Sequence, residues 1–347
     1  MRGETTIYDI AKKLNLSPAT ISRALNDHPA INAKTKLTVN ALAKELGYQS
    51  NKFASNLRKQ KTNTIGIIVP RLNSALMSTV LAGMEKVANE AGYNLIISQS
   101  LESEKKEITN AKTMFNGRVD ALLVSVAYDT DTFEHFSPFT KKGIPLLFFD
   151  RVIEHPSCTN IVIDNVKAGY DASRHLIEQG CRKLMHVTGN LKRNVYSDRF
   201  KGFETAIREN GLEFDRDLLM LTDFGQESGK DVVKRIKALP YPPDGIFITN
   251  DSCAVSCIDL LKKEGFSVPE DIAVVGFNND PVATVIDPNL TTIHYPGKEM
   301  GEIAVQSIIN HLNGTMDINP TNTIILRSEL IIRGSSLKAT TRKAETV

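Results

Sequence analysis

The stretch NLSPATISRAL, residues 15–25, predicts a short helix that is held at its start and buried along one side. Ser17 can cap this helix with its hydroxyl, and Pro18 fits the first helical position, where a missing N–H costs no hydrogen bond. Ile21 and Leu25 lie one turn apart and supply the inner face. The outer face carries hydroxyl groups and one basic side chain, Arg23, so it is a candidate contact surface.

Two further helices are predicted on either side of this stretch. Residues 7–14 place apolar side chains at i, i+3, i+4 and i+7, the stripe of an amphipathic helix, and Asn15 suits the turn that follows. Asn32 can cap a third helix, which Gly47 ends. Three short helices within fifty residues, with a tight turn between the first two, predict a helix-turn-helix.

The charge is unevenly distributed along the chain. Residues 1–62 contain eleven Lys and Arg against four Asp and Glu, a net of +7, whereas the remaining residues carry a net of −5. A basic head on a mildly acidic body favours a polyanionic partner for the head. A solvated basic face would show the same charge, so charge alone leaves both interpretations open.

The rest of the chain alternates apolar strands with helices. Because each strand is apolar throughout, the pattern predicts parallel sheets covered on both faces, and its restart after residue 164 predicts two doubly wound lobes. The predicted strands are TIGIIVP (64–70), YNLIISQS (93–100), VDALLVSV (119–126), IPLLFFD (144–150), NIVID (160–164), KLMHVTG (183–189), LLMLTD (218–223), GIFITND (245–251) and DIAVVGF (271–277).

Several classes of protein are disfavoured by what the sequence lacks. There is no run of 18 apolar residues and no secretory signal at the N-terminus, and the four cysteines are scattered, so we expect a cytoplasmic protein. The dinucleotide, phosphate-loop, nucleophile-elbow and zinc-helix motifs are absent, so we expect no enzyme, no cofactor and no metal. Cys253 and Cys257 share a helix face without further ligands and are expected to be small buried residues.

The head and the body together resemble the LacI/GalR family of bacterial transcription regulators. The resemblance runs nearly from end to end and keeps the order and spacing of the family's motifs. The segments that carry it are TIYDIAKKLNLSPATISRALND, KELGYQSNKFASNLRKQKTNTIGIIVP, FFDR, DNVKAGYDASRHLIEQG, SDRFKGFETAI, FITND, VVGFNND, LTTIHYP and ELIIRGSS.

The resemblance implies an organisation into a DNA-binding head, a hinge and a two-lobed body of the periplasmic-binding-protein type. The expected ranges are 1–50 for the head, 51–63 for the hinge helix and linker, 64–335 for the effector-binding and dimerisation domain, and 336–347 for a polar tail. Within the body we expect one lobe from about 64–161 and 291–322, and the other from about 162–290 and 323–335.

A helix-turn-helix places its second helix in the major groove of DNA. Hydroxyl side chains there suit phosphate contacts, Pro18 and Ala19 suit apolar contact with base edges, and Arg23 suits a bidentate contact with guanine, although it could instead pair with Asp27. The resemblance adds a hinge helix that orders on operator DNA, with Leu57 wedged into the minor groove. The expected DNA-binding residues are Thr6, Tyr8, Ser17, Pro18, Ala19, Thr20, Ser22, Arg23, Asn26, Tyr48, Asn51, Lys52, Ala54, Leu57 and Arg58.

The resemblance also implies an effector site in the cleft between the lobes, at the carboxyl ends of the strands. The expected effector-binding residues are Ser74, Leu76, Asp150, Arg151, Arg199, Phe224, Asn250, Asp251 and Asn278. Taken singly, an Asp or Asn at a strand end could simply cap the next helix. The sequence departs from the family pattern at residues 71–77, at Asn278, where a carboxylate is usual, and in having no Trp.

The sequence therefore predicts a sequence-specific transcription regulator, a repressor by the family's commoner mode, that acts as a homodimer on a pseudo-palindromic operator. Its effector is expected to be a sugar or sugar derivative. The tail lacks a leucine heptad, which disfavours a tetramer. Alternatives are a ligand-dependent activator, a sugar-binding protein of the transport type, and a sugar-modifying enzyme with an accessory head.

Overall fold

The computed structural model describes residues 5–48, 61–318 and 323–338. The chain divides into two compact units, Met1–Thr62 and Asn63–Val347. The first unit is helical and the second contains two α/β lobes, as the sequence predicts.

The first unit is a three-helix head. Its helices are α1 (Ile7–Leu14), α2 (Pro18–Leu25) and α3 (Ala33–Glu45). Ile10, Ile21 and Val39, one from each helix, are fully buried and meet in a single apolar core. The turn after α1 is made by Asn15, whose φ of 51° is left-handed, a conformation that Asn tolerates better than most residues. The predicted helix-turn-helix is therefore confirmed.

The second unit contains two mostly parallel sheets, each with six described strands. The strands are β1 (Thr64–Val69), β2 (Asn94–Gln99), β3 (Ala121–Val124), β4 (Leu146–Phe149), β5 (Thr159–Ile163), β6 (Leu184–Thr188), β7 (Leu219–Leu221), β8 (Gly245–Ile248), β9 (Ala273–Asn278), β10 (Thr291–His294), β11 (Thr323–Leu326) and β12 (Glu329–Ile331). The first sheet has the order β11-β5-β4-β3-β1-β2 and the second has the order β12-β10-β9-β8-β6-β7. Among these described strands, only the β10–β12 pair is antiparallel.

Helices cover the faces of both sheets, which is why the central strands are apolar throughout. They are α4 (Ala75–Glu90), α5 (Glu104–Asn116), α6 (Ser137–Lys141), α7 (Asn165–Glu178), α8 (Asn194–Glu209), α9 (Ser228–Ala238), α10 (Asp251–Lys263) and α11 (Gly297–Leu312). In both sheets the strand order reverses beside the first strand of the lobe, β1 or β6. This reversal leaves a crevice at the carboxyl ends of the strands.

Two helix pairs pack with almost no space between their backbones. In the first lobe, a Cβ added at Gly301 of α11 would lie 2.0 Å from the carbonyl oxygen of Val80 in α4. In the second lobe, a Cβ at Gly202 of α8 would lie 2.0 Å from the carbonyl oxygen of Val166 in α7. Glycine is required at both crossings because any side chain would push the helices apart.

The chain crosses between the lobes at different places from those that the sequence predicts. Residues 291–322 were expected in the first lobe, but the strand Thr291–His294 pairs with β9 of the second sheet. Residues 323–335 were expected in the second lobe, but Thr323–Leu326 pairs with β5 of the first sheet. The pairing of a strand decides to which lobe it belongs. Short strands of similar composition do not show in their sequence which sheet they join.

The expected tail also begins too early. Ser336 is fully buried, and its hydroxyl lies 2.7 Å from Nε2 of His175 and 2.6 Å from the hydroxyl of Thr291. Residues up to that point therefore belong to the packed second lobe. Residues 339–347 lie outside the described residues.

Candidate functional site: a DNA-binding helix and an interlobe cleft

The N-terminal end of α2 presents the side chains expected to meet DNA. The N–H of Thr20 donates to the Ser17 hydroxyl at 3.1 Å, which is the predicted cap. Ser17 and Ala19 are exposed, and Pro18, Thr20 and Ser22 are half-buried. Within the head, this end of the helix is accessible to a partner.

Arg23 extends from the outer face of α2 and is exposed. The ion pair with Asp27 that the sequence left open is not formed. The Asp27 carboxylate instead accepts from Nζ of Lys36 at 2.7 Å, which lowers the pKa of Asp27. Within the three described segments, no acidic side chain pairs with Arg23, so its guanidinium is available for a ligand.

The other residues of the head that are expected to contact DNA differ in solvent exposure and in hydrogen bonding. Tyr8 is 70% exposed and Thr6 is exposed, whereas Tyr48 is half-buried against the head core. The amide of Asn26 donates to the Ser22 carbonyl oxygen at 2.8 Å and so closes the end of α2. The expected hinge contacts Asn51, Lys52, Ala54, Leu57 and Arg58 lie outside the described residues.

A cleft of about 320 Å³ lies between the two lobes of the second unit, where the carboxyl ends of their strands face each other. Eight of the nine expected effector-binding residues line it, although they come from distant parts of the sequence. They are Ser74, Leu76, Asp150, Arg151, Arg199, Phe224, Asn250 and Asn278.

Asp251 is the exception and does not line the cleft. It is fully buried, and its carboxylate accepts from the Thr292 hydroxyl and from the backbone N–H of Asp280, both at 2.7 Å. Burial raises its pKa to about 7 even though these hydrogen bonds act in the opposite direction. Asp251 therefore holds the loop after β9 in place, and its neighbour Asn250 is the one that reaches the cleft.

Asp150 and Arg199 place opposite charges at the cleft, and both are at least nine-tenths buried. The carboxylate of Asp150 accepts from the Tyr295 hydroxyl at 2.9 Å. Nε of Arg199 donates to Asn165 at 2.9 Å, and its guanidinium carbon lies 3.6 Å from the centre of the Phe277 ring. Stacking on the ring and the Nε bond orient the guanidinium, and no hydrogen bond to a described residue occupies its remaining donors.

Two polar residues of the cleft, Ser74 and Asn250, also cap helices. For Asn250, which follows a strand, the capping alternative therefore holds alongside the cleft position. The Ser74 hydroxyl accepts from the backbone N–H of Met77 at 3.4 Å, and the side-chain carbonyl oxygen of Asn250 accepts from the backbone N–H of Cys253 at 2.9 Å. Phe224 is half-buried in the loop after β7 and turns its ring toward the cleft, with its centre 6.1 Å from that of Tyr196.

A cluster that the sequence did not predict surrounds Arg151. Its guanidinium donates to Glu102 at 2.8 Å and to the Tyr196 hydroxyl at 3.1 Å, and lies 4.2 Å from the centre of the Tyr128 ring. The hydroxyls of Tyr128 and Tyr196 are 3.0 Å apart, and burial raises the pKa of Tyr128. Arg71, where the sequence departs from the family pattern, lies 3.6 Å from Glu102.

This cluster joins the two lobes, because Arg151 follows β4 and Tyr196 belongs to α8. Asn194 adds to the junction: its amide donates to the carbonyl oxygen of Asp150 at 3.0 Å and accepts from the N–H of Val152 at 3.1 Å. Two patterns could have revealed the cluster. Glu102 and Tyr128 follow strands β2 and β3, as Asp150 follows β4, and Tyr196 precedes Arg199 by one helical turn.

The described part of the chain has neither a cluster of metal ligands nor a helix that could span a membrane. It contains no group of three or more His, Cys, Asp or Glu side chains placed to hold a metal ion. Cys253 and Cys257 are buried free thiols, and burial raises the pKa of both. None of the described helices combines the length and the apolar character needed to cross a bilayer.

Comparison with known proteins identifies both units. Residues 6–51 match the family "Bacterial regulatory proteins, lacI family", and residues 173–336 match "Periplasmic binding protein-like domain". Among solved structures, the Lac repressor dimer bound to operator and the anti-inducer ONPF is similar in fold, with a TM-score of 0.86 at 21% identity, covering 96% of this chain and 100% of that one. A LacI transcriptional regulator from Alkaliphilus metalliredigens has a TM-score of 0.68 at 27% identity, covering 79% of this chain and 99% of that one.

Curated relatives match over nearly the whole chain. The HTH-type transcriptional regulator RegA of Clostridium saccharobutylicum is 32% identical over 96% of this chain and 99% of its own length. The NTD biosynthesis operon regulator NtdR of Bacillus subtilis is 31% identical over 95% and 99%. With a helix-turn-helix head, a two-lobed body and relatives of this extent, the chain belongs to the lacI family of bacterial regulatory proteins, which are DNA-binding transcription regulators.

Proposed function

We propose that the protein is a homodimeric transcription repressor, and that a carbohydrate-type effector in the interlobe cleft controls its affinity for a pseudo-palindromic operator. The observation that carries the proposal is the pair of buried opposite charges, Asp150 and Arg199, at a cleft of about 320 Å³. Sites of this size bind small molecules, and polar groups fixed by the fold select them.

In the head, α2 enters the major groove with its N-terminus leading. Ser17, Thr20 and Ser22 contact phosphates and set the register, Pro18 and Ala19 approach base edges, and Arg23 donates two hydrogen bonds to a guanine. The absence of an ion pair at Arg23 among the described residues supports this role, since a guanidinium already held by Asp27 would first have to be released.

Around α2, Thr6, Tyr8, Asn26 and Tyr48 contact the DNA backbone. Beyond the head, Asn51, Lys52, Ala54, Leu57 and Arg58 form a hinge helix in the minor groove, where Leu57 kinks the duplex. These hinge residues lie outside the described part of the chain, so the resemblance to the family is the support for their roles.

In the cleft, the mixture of donors and acceptors suits a polyhydroxylated ligand. Asp150 accepts, Arg199 donates, the amides of Asn250 and Asn278 can do both, and Phe224 offers an apolar face to a sugar ring. The regulator from Alkaliphilus metalliredigens, 27% identical, is described as complexed with D-xylulofuranose, which supports the sugar class.

A dimer is supported by the edge of the first sheet. The strand β2 is an outer strand, and it exposes Ile96 and Ile97, which are 46% and 40% accessible. Leu72, Leu101 and Ile108 are further exposed apolar residues of this lobe. Apolar side chains on an edge that no described strand covers favour association, and a second copy of the chain also supplies the second head that a two-fold operator requires.

Effector binding changes the relative orientation of the two lobes, and this in turn changes the relative position of the two heads in the dimer. The coupling between the two sites is expected to be about 1–3 kcal/mol and to act in both directions. Repression is supported by the relative CytR of Escherichia coli, 28% identical over 95% of this chain, which is a transcriptional repressor.

The test is selection of genomic fragments by the purified full-length protein, followed by anisotropy titration of the enriched fragment. We expect one enriched pseudo-palindrome, bound by a dimer, whose affinity falls steeply as salt rises. A thermal-shift screen of sugars, sugar phosphates, sugar acids and nucleosides then identifies the effector, because a ligand of the folded state raises the midpoint. Enrichment of no fragment over random DNA, with or without these compounds, would refute the proposal.

A further inference from the structure

The loop after β9 turns a carboxylate, that of Asp280, toward the cleft. Asp280 stands immediately before the short 3₁₀ helix Pro281–Thr284, at a position where Asp usually caps the helix, but its side chain makes no capping hydrogen bond. It lines the cleft instead and is only 8% exposed. Its backbone N–H is held by Asp251 at 2.7 Å, which fixes the loop.

This carboxylate forms no ion pair within the described segments. The guanidinium of Arg151 is paired with Glu102, and Arg199, which also lines the cleft, contacts Asn165 and the Phe277 ring and forms no ion pair with Asp280. The Asn278 side chain lowers the pKa of Asp280 against the larger effect of burial, and Asp251, at the start of the neighbouring α10, brings a second acid to the same loop. The loop after β9 therefore presents a buried carboxylate that has no ion-pair partner among the described residues.

A buried carboxylate in such surroundings is destabilised relative to water unless a positive group approaches it. Burial raises the pKa of Asp280 to about 6, so the carboxylate is still mostly ionised at neutral pH. A protonated amine supplies both the charge and the N–H donors that this site lacks, and charge-assisted hydrogen bonds are about twice as strong as neutral ones. A neutral hydroxyl would leave the charge uncompensated.

We infer that the effector is an amino sugar, with its ammonium group on Asp280 and its hydroxyl groups on Asp150 and Arg199. This inference rests on the proposed function, since it assigns a ligand class to the same cleft. It also assigns different roles to different parts of the cleft. Asp150 of the first lobe and Arg199 of α8 recognise hydroxyl groups, and Asp280, in the loop after β9, recognises a cation.

The test compares sugars that differ only at one substituent. Full-length wild-type protein is titrated by calorimetry and thermal shift with D-glucosamine and D-glucose, D-galactosamine and D-galactose, and D-mannosamine and D-mannose. The N-acetyl derivatives of the same amino sugars serve as uncharged controls. We expect at least one amine to bind about tenfold or more tightly than its parent sugar and than its acetylated form.

Asp280→Asn keeps the size of the side chain and removes the charge. It is expected to reduce amine affinity at least about tenfold and to change parent-sugar affinity less than about twofold. Asp287→Asn, which removes the same charge from a side chain that is 97% exposed, is the matched control and should leave both affinities as they are. The unfolding midpoint of each variant without ligand checks that it folds.

The outcomes separate this inference from the proposed function. Parent sugars that bind as well as the amines, or amine binding that survives Asp280→Asn, would overturn the amino-sugar inference and leave a sugar-controlled regulator intact. If no member of any pair stabilises the protein, the amino-sugar inference fails, and the wider screen of the proposed function then decides whether the cleft takes another carbohydrate.

Discussion

The guanidinium of Arg151 donates to the hydroxyl of Tyr196 at 3.1 Å, and this hydrogen bond crosses from the first lobe to the second. The same guanidinium donates to Glu102 at 2.8 Å, so its charge is balanced within the first lobe. Both Arg151 and Tyr196 are less than a tenth exposed. The junction between the lobes is therefore a desolvated polar contact, in which each lost partner leaves an unsatisfied group behind.

Tyr196→Phe tests this junction. The substitution removes the acceptor of Arg151 and the hydroxyl partner of Tyr128 but keeps the aromatic ring. We expect the free energy of unfolding to fall by about 1–3 kcal/mol, measured by urea denaturation. Tyr170→Phe removes a hydroxyl that bonds to Glu209 on an exposed surface and should change stability by less than about 0.5 kcal/mol. Equal effects of the two variants would contradict the role of the junction.

Arg23→Ala tests the reading of DNA by α2. We expect the variant to lose about 1–3 kcal/mol of discrimination at one base position, because a bidentate contact with guanine is lost. The measurement is competition binding between the operator and a set of its single-base variants. Lys13→Ala removes an exposed charge at the end of α1 and should weaken all sequences alike, if it changes binding at all. Unchanged base preference in Arg23→Ala would assign the arginine to phosphate contact only.

Leu57→Ala tests the insertion of Leu57 into the minor groove, which the family resemblance implies. A smaller side chain should fill the opened base step poorly, so we expect weaker operator binding and a smaller bend. Gel-shift titration gives the affinity, and the mobility of fragments with the operator at different positions gives the bend angle. Wild-type affinity and bending in the variant would reject a role for Leu57 in the kink.

Asp280→Asn is expected to stabilise the protein without ligand. The pKa of Asp280 is raised from an ordinary 3.8 to about 6, so the folded state favours the protonated form. Its contribution to the free energy of unfolding therefore falls as pH rises from about 4 to about 6, by at most about 3 kcal/mol. The charge of Asp280 also raises the pKa of Asp251, so removing that charge relieves a repulsion between the two acids and adds to the gain in the same direction.

The measurement is denaturation of wild type and Asp280→Asn across this pH range. The variant should gain stability over wild type as pH rises through about 6, and the two should agree near about pH 4. A difference that does not change with pH would mean that the carboxylate is not buried as a charged group.

The helices of the head could be predicted closely from sequence because their determinants are local. Ser17 and Asn32 each accept a capping hydrogen bond at the predicted position, and Asn15 adopts the predicted left-handed turn. These are decided by residues within four positions of each other. The order of the strands in the sheets could be predicted less well from sequence, because strands that pair are distant along the chain. The strands β10 and β11, each of which was expected in the other lobe, show this.

The cleft shows the same division. Polar residues that follow strands, such as Asp150 and Asn250, were expected at the cleft because the family resemblance implies an effector site at the carboxyl ends of the strands, and both line the cleft. Asp251, one residue further along, was expected there as well, but α10 begins at this residue and turns its carboxylate inward to Thr292. Sequence adjacency does not decide which of two neighbouring side chains faces a cavity.

The sequence by itself determined the classes of structure: a capped helix-turn-helix, apolar strands alternating with helices, and a basic head on an acidic body. Periodicity, capping and charge are carried by neighbouring residues, so the chain needs no partner to display them. Only the tertiary structure decided that Arg151 meets Tyr196 and that Asp280 faces the cleft without an ion-pair partner among the described residues. Those relationships depend on how two lobes, each built from separated segments, come together in space.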